Sequence, residues 1–234
     1  MLNPKLDIPS LADAYRQDER LRIDNVLDPK IAQRVQEICL NSVPFDYVYH
    51  LNGENLISSQ EEMSAMGKVH QQNLHNRVMQ EASEGVGFLY CGYRMDRARD
   101  DADEALHFLH DIFLYLNSED MLNFIRQVSG RDDIVSVDGQ FTRYTPGQFL
   151  TRHSDNIEEE GRRLAYVFGF SQHWHPDWGG LLLFYENNGD ARDFWIPAFN
   201  TLSLFDVRHV HSVSYVTPFA KHPRLSLTGW FRAK

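Results

Sequence analysis

Residues 142–156 read TRYTPGQFLTRHSDN. A Pro146-Gly147 turn leads into a short apolar run, which ends in His153-Ser154-Asp155. In a strand, positions i and i+2 project to the same side. His153 and Asp155 then converge on one point, and Ser154 turns away. An imidazole nitrogen beside a carboxylate oxygen is a common pair for a divalent first-row metal. Two ligands hold a metal poorly, so a third is expected elsewhere in the fold around this strand.

The sequence after Gly130 supports that fold. DIVSVDGQFTRY, RRLAYVFGFS, GGLLLFYENN, RDFWIPAFNTLSLFD, HSVSYVTPF and RLSLTGWFRAK are short runs rich in β-branched and aromatic residues. Gly, Pro, Asn and Asp separate them, a pattern of closely spaced strands that suggests a sandwich or barrel. Before Gly130 the texture is mostly helical. DPKIAQRVQEICLN offers Asp28 as N-cap and Pro29 in the first turn, with Ile31, Val35, Ile38 and Cys39 on one stripe. PSLADAYRQDERLRI reads as a helix. SSQEEMSAMGKVHQQNLHNRVMQEAS reads either as one helix with Met63, Met66, Val69, Leu74 and Val78 partly buried, or as a loop followed by a helix. GVGFLYCGYRM reads as a strand, and DEALHFLHDIFLYLNSEDMLNFIRQVSG as two helices ending at Gly130. The expected organisation is a mainly helical region over 1–130 and a β core over 131–234, packed together as one domain.

Composition narrows the function. The chain has 234 residues, 42% hydrophobic and 24% charged, with a formal net charge of -10. A chain of this length can bury a core without staples. Its acidity argues against wrapping nucleic acid. Arg162-Arg163 forms a small basic patch. Cys39 and Cys91 make no Cys-x-x-Cys pair, so neither a disulfide framework nor a Cys-rich zinc site is expected. MLNPKLDIPS lacks a basic region followed by an apolar core, and no apolar run approaches membrane-spanning length. A soluble, cytoplasmic chain is the expectation, with no membrane contact and no stated oligomeric state.

The third ligand can come from SLFDVRHVHSV, where His209 and His211 occupy alternate positions. In the last predicted strand Arg224 and Ser226 share one face, and Leu225 and Leu227 face the core. A guanidinium is a natural fork for a carboxylate. Two histidines and one carboxylate form a facial triad that leaves three adjacent metal positions open, which suits a non-haem Fe(II) oxygenase. Two of those positions could chelate a 2-oxo acid and the third could take dioxygen, with the arginine on the far carboxylate.

On these residues the C-terminal half resembles the Fe(II)/2-oxoglutarate-dependent oxygenases, within them the prolyl hydroxylase group, and most of all the catalytic domain of the ribosomal-protein prolyl hydroxylases. The motifs are Y-T-P-G-Q-F-L-T-R-H-S-D, G-R-R-L-A-Y-V, W-G-G-L-L-L-F-Y, H-S-V and R-L-S-L-T-G-W-F, in the family's order from Tyr144 to Phe231. The resemblance implies a double-stranded β-helix (jelly roll or cupin-like) of α+β class, with the N-terminal helices packed on one face. It assigns His153, Asp155 and His211 to the iron. It assigns Arg224 to the distal carboxylate of 2-oxoglutarate and Tyr144 to a hydrogen bond with that cosubstrate. Ser226 and Tyr166 are expected to line the same pocket. The family carries a second, degenerate β-helix domain after the catalytic one, and the sequence through Lys234 covers the catalytic part. The activity implied is hydroxylation of a C–H bond, with succinate and carbon dioxide as co-products and ascorbate keeping the iron reduced. The expected substrate is a prolyl residue in a protein or peptide.

Rival readings remain at this point: a hydroxylase of a free amino acid or other small molecule, a metal- or 2-oxoglutarate-binding sensor without turnover, and a zinc hydrolase. Blander readings also stand beside several residues. His153 and Asp155 alone would suit a surface turn, and Tyr144 a core aromatic. HWHPDWGG (residues 173–180) suits a loop at the rim of the active site better than a second metal site. Trp195 and Trp230 read as core or pocket wall, Asp206 as structural, and Glu158-Glu159-Glu160 as a solvated loop.

Overall fold

The computed structural model describes residues 1–95 and 103–233. Six helices precede the core: α1 (Ile8–Asp18), α2 (Pro29–Asn41), α3 (Gln60–Met66), α4 (Lys68–Glu84), α5 (Glu104–Leu116) and α6 (Glu119–Ser129). Four strands lie among them: β1 (Arg20–Asp24), β2 (Asp46–Leu51), β3 (Glu54–Ser58) and β4 (Phe88–Arg94). The core contributes β5 (Ser136–Val137), β6 (Gln140–Tyr144), β7 (Phe149–His153), β8 (Arg162–Phe170) and β9 (Leu182–Tyr185). It closes with β10 (Ala191–Trp195), β11 (Phe199–Asp206), β12 (His211–Val213) and β13 (Arg224–Arg232).

Local sequence explains most helix limits. Asp28 accepts from the Lys30 N–H at 2.8 Å and Pro29 opens α2, so the helix starts where its cap predicts. Ala32, Val35, Ile38 and Cys39 are its buried stripe. Ser59 and Glu62 form a capping box at α3. The long polar stretch is two helices meeting at Gly67. Val78 is buried there, and Val69 stands in solvent at 72% exposure, contrary to the expected partial burial.

Two expectations for the first half are corrected. The helix read over PSLADAYRQDERLRI ends at Asp18, where Glu19 adopts φ 50°, and Arg20–Asp24 instead pairs antiparallel with β11. The β2–β3 hairpin was not anticipated. Its turn is Asn52-Gly53, with φ 56° and 77°, the left-handed pair that a two-residue hairpin loop needs.

The strands run in the order β1-β11-β8-β13-β6-β4-β7-β12-β9-β10. β4 pairs with β6 through Cys91–Arg94 and with β7 through Phe88–Leu89, so the sheet folds over on itself at β4. One layer is β1-β11-β8-β13-β6, the other β7-β12-β9-β10. This is the expected double-stranded β-helix. Alternation along each strand divides its side chains. Leu164, Tyr166 and Phe168 of β8, Leu202 and Leu204 of β11, and Leu225 and Leu227 of β13 join residues of α1, α2, α5 and α6 in one large core. Ala165, Leu182, Phe184 and Phe205 face each other between the layers. The helices therefore bury one face of the larger layer and leave its other face to line the interior. No helix among the described residues is long and apolar enough to cross a membrane.

Candidate metal and cosubstrate site

His153 ends β7 and His211 begins β12, and the two are direct partners across that antiparallel pair. Their rings lie 4.3 Å apart. Asp155 follows two residues after His153, and its backbone N–H donates to the Val207 carbonyl at 3.2 Å. Its carboxylate Oδ1 is 3.6 Å from His153 Nε2, and Oδ2 is 3.4 Å from His211 Nε2. One ligand atom from each of the three residues lies within 4.8 Å of the others, and among the described residues this is the one cluster of its kind.

The tautomers suit a metal. His153 Nδ1 donates to the Thr151 carbonyl at 2.9 Å, and His211 Nδ1 to the His209 carbonyl at 2.9 Å. A carbonyl only accepts, so each Nδ1 carries a proton, and in a neutral ring that leaves Nε2 with its lone pair facing Asp155. Burial lowers the His211 pKa to about 4, with His153 pushing the same way and Asp155 opposing, so the ring is neutral at ordinary pH. His209 points elsewhere. Its Nε2 donates to the Asp18 carbonyl at 2.9 Å, so of the two histidines it is His211 that faces Asp155.

The inner faces of β6 and β13 carry the second group of predicted residues. Register pairs Arg224 with Tyr144 and Ser226 with Thr142. The Arg224 guanidinium lies 5.1 Å from the Tyr144 ring centroid. It is 5% exposed, its Nη1 has no hydrogen-bond partner, and burial lowers its pKa. A buried cation with no partner among the described residues is costly, and an anion from outside the chain would relieve that cost. Burial raises the Tyr144 pKa despite the opposing Arg224 charge, which keeps its hydroxyl a donor. Ser226 Oγ is 3.1 Å from Thr142 Oγ1. Arg224 and Ser226 line a small cavity of about 20 Å³ with Val167, Ser203, Trp195 and the Ile196–Ala198 segment. The same segment walls an adjoining cavity of about 800 Å³, lined also by His173, Trp174, Phe194 and Arg22.

Tyr166 is a correction. It lies on the helix-facing side of β8, packed on Phe231 and Phe168, and its hydroxyl donates to the Asp138 carbonyl at 2.8 Å. The neighbours Ala165 and Val167 face inward instead. Tyr90 is a residue the sequence did not single out. It stacks on Tyr144 at 5.4 Å and accepts from Gln140 at 3.3 Å. The predicted strand through residue 90 was the available signal, because alternation there puts Tyr90 and Gly92 on one face. Asp206 pairs with Arg131 and Arg208 and is structural. Glu160 is not simply solvated: it pairs with both Arg162 and Arg232. In HWHPDWGG, His173 and Trp174 border the larger cavity.

Residues 139–232 match the model of the 2OG-Fe(II) oxygenase superfamily. Those residues resemble a 2OG-Fe(II) oxygenase domain. That match spans less than half of the chain and includes every site residue predicted above. Over 120 residues, 48% of this chain, the sequence is 32% identical to prolyl 3-hydroxylase OGFOD1 of Mus musculus. The aligned part covers 22% of the mouse protein's length. Among solved structures, a Pseudomonas putida prolyl-4-hydroxylase superposes with a TM-score of 0.59 at 17% identity, covering 97% of this chain and 99% of that one. A Trichoplax adhaerens prolyl hydroxylase, solved with a hypoxia inducible factor peptide fragment, gives 0.60 at 19% identity, covering 97% and 89%. At such identities these structures establish the shared fold. An oxygenase domain of this superfamily takes Fe(II) and 2-oxoglutarate, and the side chains present fit both: a two-histidine, one-carboxylate donor set, and a buried guanidinium lacking an anion.

Proposed function

We propose that this protein is a dioxygenase that hydroxylates a prolyl residue of a protein or peptide, using Fe(II), 2-oxoglutarate and dioxygen and releasing succinate and carbon dioxide. The observation that carries the reading is the unpartnered Arg224 guanidinium, buried in the same barrel interior as the His153, Asp155 and His211 cluster. When bound, the iron supplies the oxidising chemistry, and the chain's own residues set up the conditions for it. His153 and His211 offer Nε2 atoms already oriented by their Nδ1 hydrogen bonds. Asp155 contributes the anionic ligand. Arg224 holds the far carboxylate of 2-oxoglutarate, Tyr144 donates to that carboxylate, and Ser226 narrows the wall beside it. The apolar interior formed by Leu182, Phe184 and Phe205 keeps water away from the site.

The prolyl preference rests on the mouse relative and on the sequence resemblance. Ascorbate as reductant and a cytoplasmic location belong to the same proposal. The test is incubation with a pool of proline-containing peptides, Fe(II), 2-oxoglutarate, ascorbate and oxygen, followed by mass spectrometry. Gain of one oxygen on a prolyl residue supports the proposal. Oxygen gained on a free amino acid or another small molecule, with peptides untouched, transfers the activity to that substrate class. Tight binding of metal and 2-oxoglutarate with no turnover on any substrate makes the protein a sensor.

A further inference from the structure

Arg162 and Arg163 are adjacent in sequence and diverge in space. Arg163 reaches outward to Asp133 at 2.7 Å and is an exposed ion pair. Arg162 turns inward, with 11% of its side chain exposed. Its guanidinium lies flat on Trp230, 3.5 Å from the ring centroid. Its Nε and Nη2 both meet Glu160 Oε2, at 2.9 and 2.7 Å. Glu160 is in turn held by Arg232, which also pairs with Asp138. The guanidinium is thus fixed in its plane by Trp230 and along one edge by Glu160. The edge left over points Nη1 at Asp155 Oδ1, 3.9 Å away.

We propose that Arg162 is a positioning residue for Asp155, on the reading that the His153, Asp155 and His211 cluster holds the iron. A carboxylate can bind a metal through one oxygen or through both. Binding through both would occupy one of the three positions that the cosubstrate and dioxygen need. Oδ1 also lies 3.6 Å from His153 Nε2, but it is the oxygen that Arg162 faces, which leaves Oδ2, 3.4 Å from His211 Nε2, for the metal. The arginine therefore keeps the carboxylate monodentate and keeps the open position open. The stack on Trp230 and the bond to Glu160 hold the guanidinium in place before metal arrives, so little ordering is left to do on binding. Such groups behind a metal ligand typically affect metal affinity by about 10–100-fold.

The test is calorimetric titration of Mn(II) into metal-free protein, together with the ligand-field spectrum of the Co(II) form. Variants are Arg162→Met, Arg162→Lys and, as a matched control, Arg163→Met. The expected result is a loss of Mn(II) affinity of roughly 10-fold or more in Arg162→Met, with an altered Co(II) spectrum. Arg162→Lys should recover part of both, and Arg163→Met should match the wild type. Equal affinity and an unchanged spectrum in Arg162→Met would overturn the proposal. If that variant does not fold, Arg162→Lys decides: wild-type affinity and spectrum with the planar fork gone would overturn it equally. Absence of metal binding in the wild type would instead sink the metal-site reading itself.

Discussion

At the scale of single residues, the site is defined by which groups have partners and which do not. Arg224 is a buried cation with no counterion among the described residues, and Arg20, a comparably buried arginine, is fully engaged by Asp18 and Asp193. That contrast leads to a sharp expectation for Arg224→Met. Its KM for 2-oxoglutarate should rise by about 10-fold or more, the loss of a charge-assisted hydrogen bond, and Mn(II) affinity measured without cosubstrate should stay near wild type. His211 yields a pH prediction. Its folded pKa of about 4 lies below the ordinary value of 6.5, so the unfolded state takes up a proton first as pH falls. The stability of metal-free wild type relative to His211→Gln should therefore be full above pH 6.5 and should decline from there down to about 4. Denaturant melts of both proteins across that range would show it. A gap that widened as pH fell would contradict the neutral, buried imidazole. The pairings of His153 with Asp155 and of Arg224 with Ser226 were legible because strand alternation puts positions two apart on one side, while the choice of His211 over His209 came from the resemblance. Tyr90 was not, because it reaches the site from a strand far upstream, and only the folded register sets it on Tyr144. Tyr166 was misassigned for a related reason. Proximity along the chain does not say which face of β8 a residue occupies, and one step of register moves it from pocket to core.

At the scale of elements, β8 and the segment before β11 approach closely. A methyl group added at Gly169 would sit 2.3 Å from the Ala198 carbonyl oxygen and 2.7 Å from Thr201 Oγ1. Both neighbours belong to well-packed backbone or a buried side chain, so the strain cannot be relieved by a simple rotamer change. Gly169→Ala should lower stability by about 1–3 kcal/mol, read as a drop in the thermal midpoint. Because Ala198 also walls the small cavity beside Arg224, the surviving folded protein should bind 2-oxoglutarate more weakly. Unchanged stability would mean that the two segments are looser than described. The start of α2 was readable from its cap, Asp28, whereas the capping box at Ser59 emerged only with the structure. The end of α1 was not readable, because a charged run, Asp-Glu-Arg, continues past Asp18 without Gly or Pro. Only pairing with β11 turns Arg20–Asp24 into a strand. The β2–β3 hairpin was readable from Asn52-Gly53 between apolar alternations, and the surrounding helical texture obscured it.

At the scale of the whole molecule, the N-terminal half does more than shield a face. β1 extends the larger layer, and Arg20 reaches from it to Asp193 on β10 of the smaller layer, with its guanidinium 4.5 Å from the Phe184 ring centroid. The two layers that enclose the site are tied at that edge by a residue from outside the oxygenase match. Arg20→Met should cost about 1–3 kcal/mol of stability through lost charged hydrogen bonds, partly offset because Asp193 remains hydrated. Phe184 is also the register partner of His211, so Mn(II) affinity should weaken together with stability. Loss of stability with untouched metal binding would show the tie to be remote from the site. The general architecture was legible because helix periodicity dominates before Gly130 and β alternation after it, although β1 to β4 lie among the helices. The tie was not, since nothing in residues 18–20 signals a partner in β10.

On the proposed reading, the interior cluster and Arg224 act together on 2-oxoglutarate. The most direct measurement is succinate released from 2-oxoglutarate under oxygen, with Fe(II) and ascorbate, in the wild type, His153→Ala and Arg224→Ala, with and without proline-containing peptides. Iron-dependent succinate is expected in the wild type, stimulated by peptide, abolished in His153→Ala and recovered in Arg224→Ala only at much higher 2-oxoglutarate. Succinate formation that persists in His153→Ala, or that responds to 2-oxoglutarate identically with and without Arg224, would contradict it.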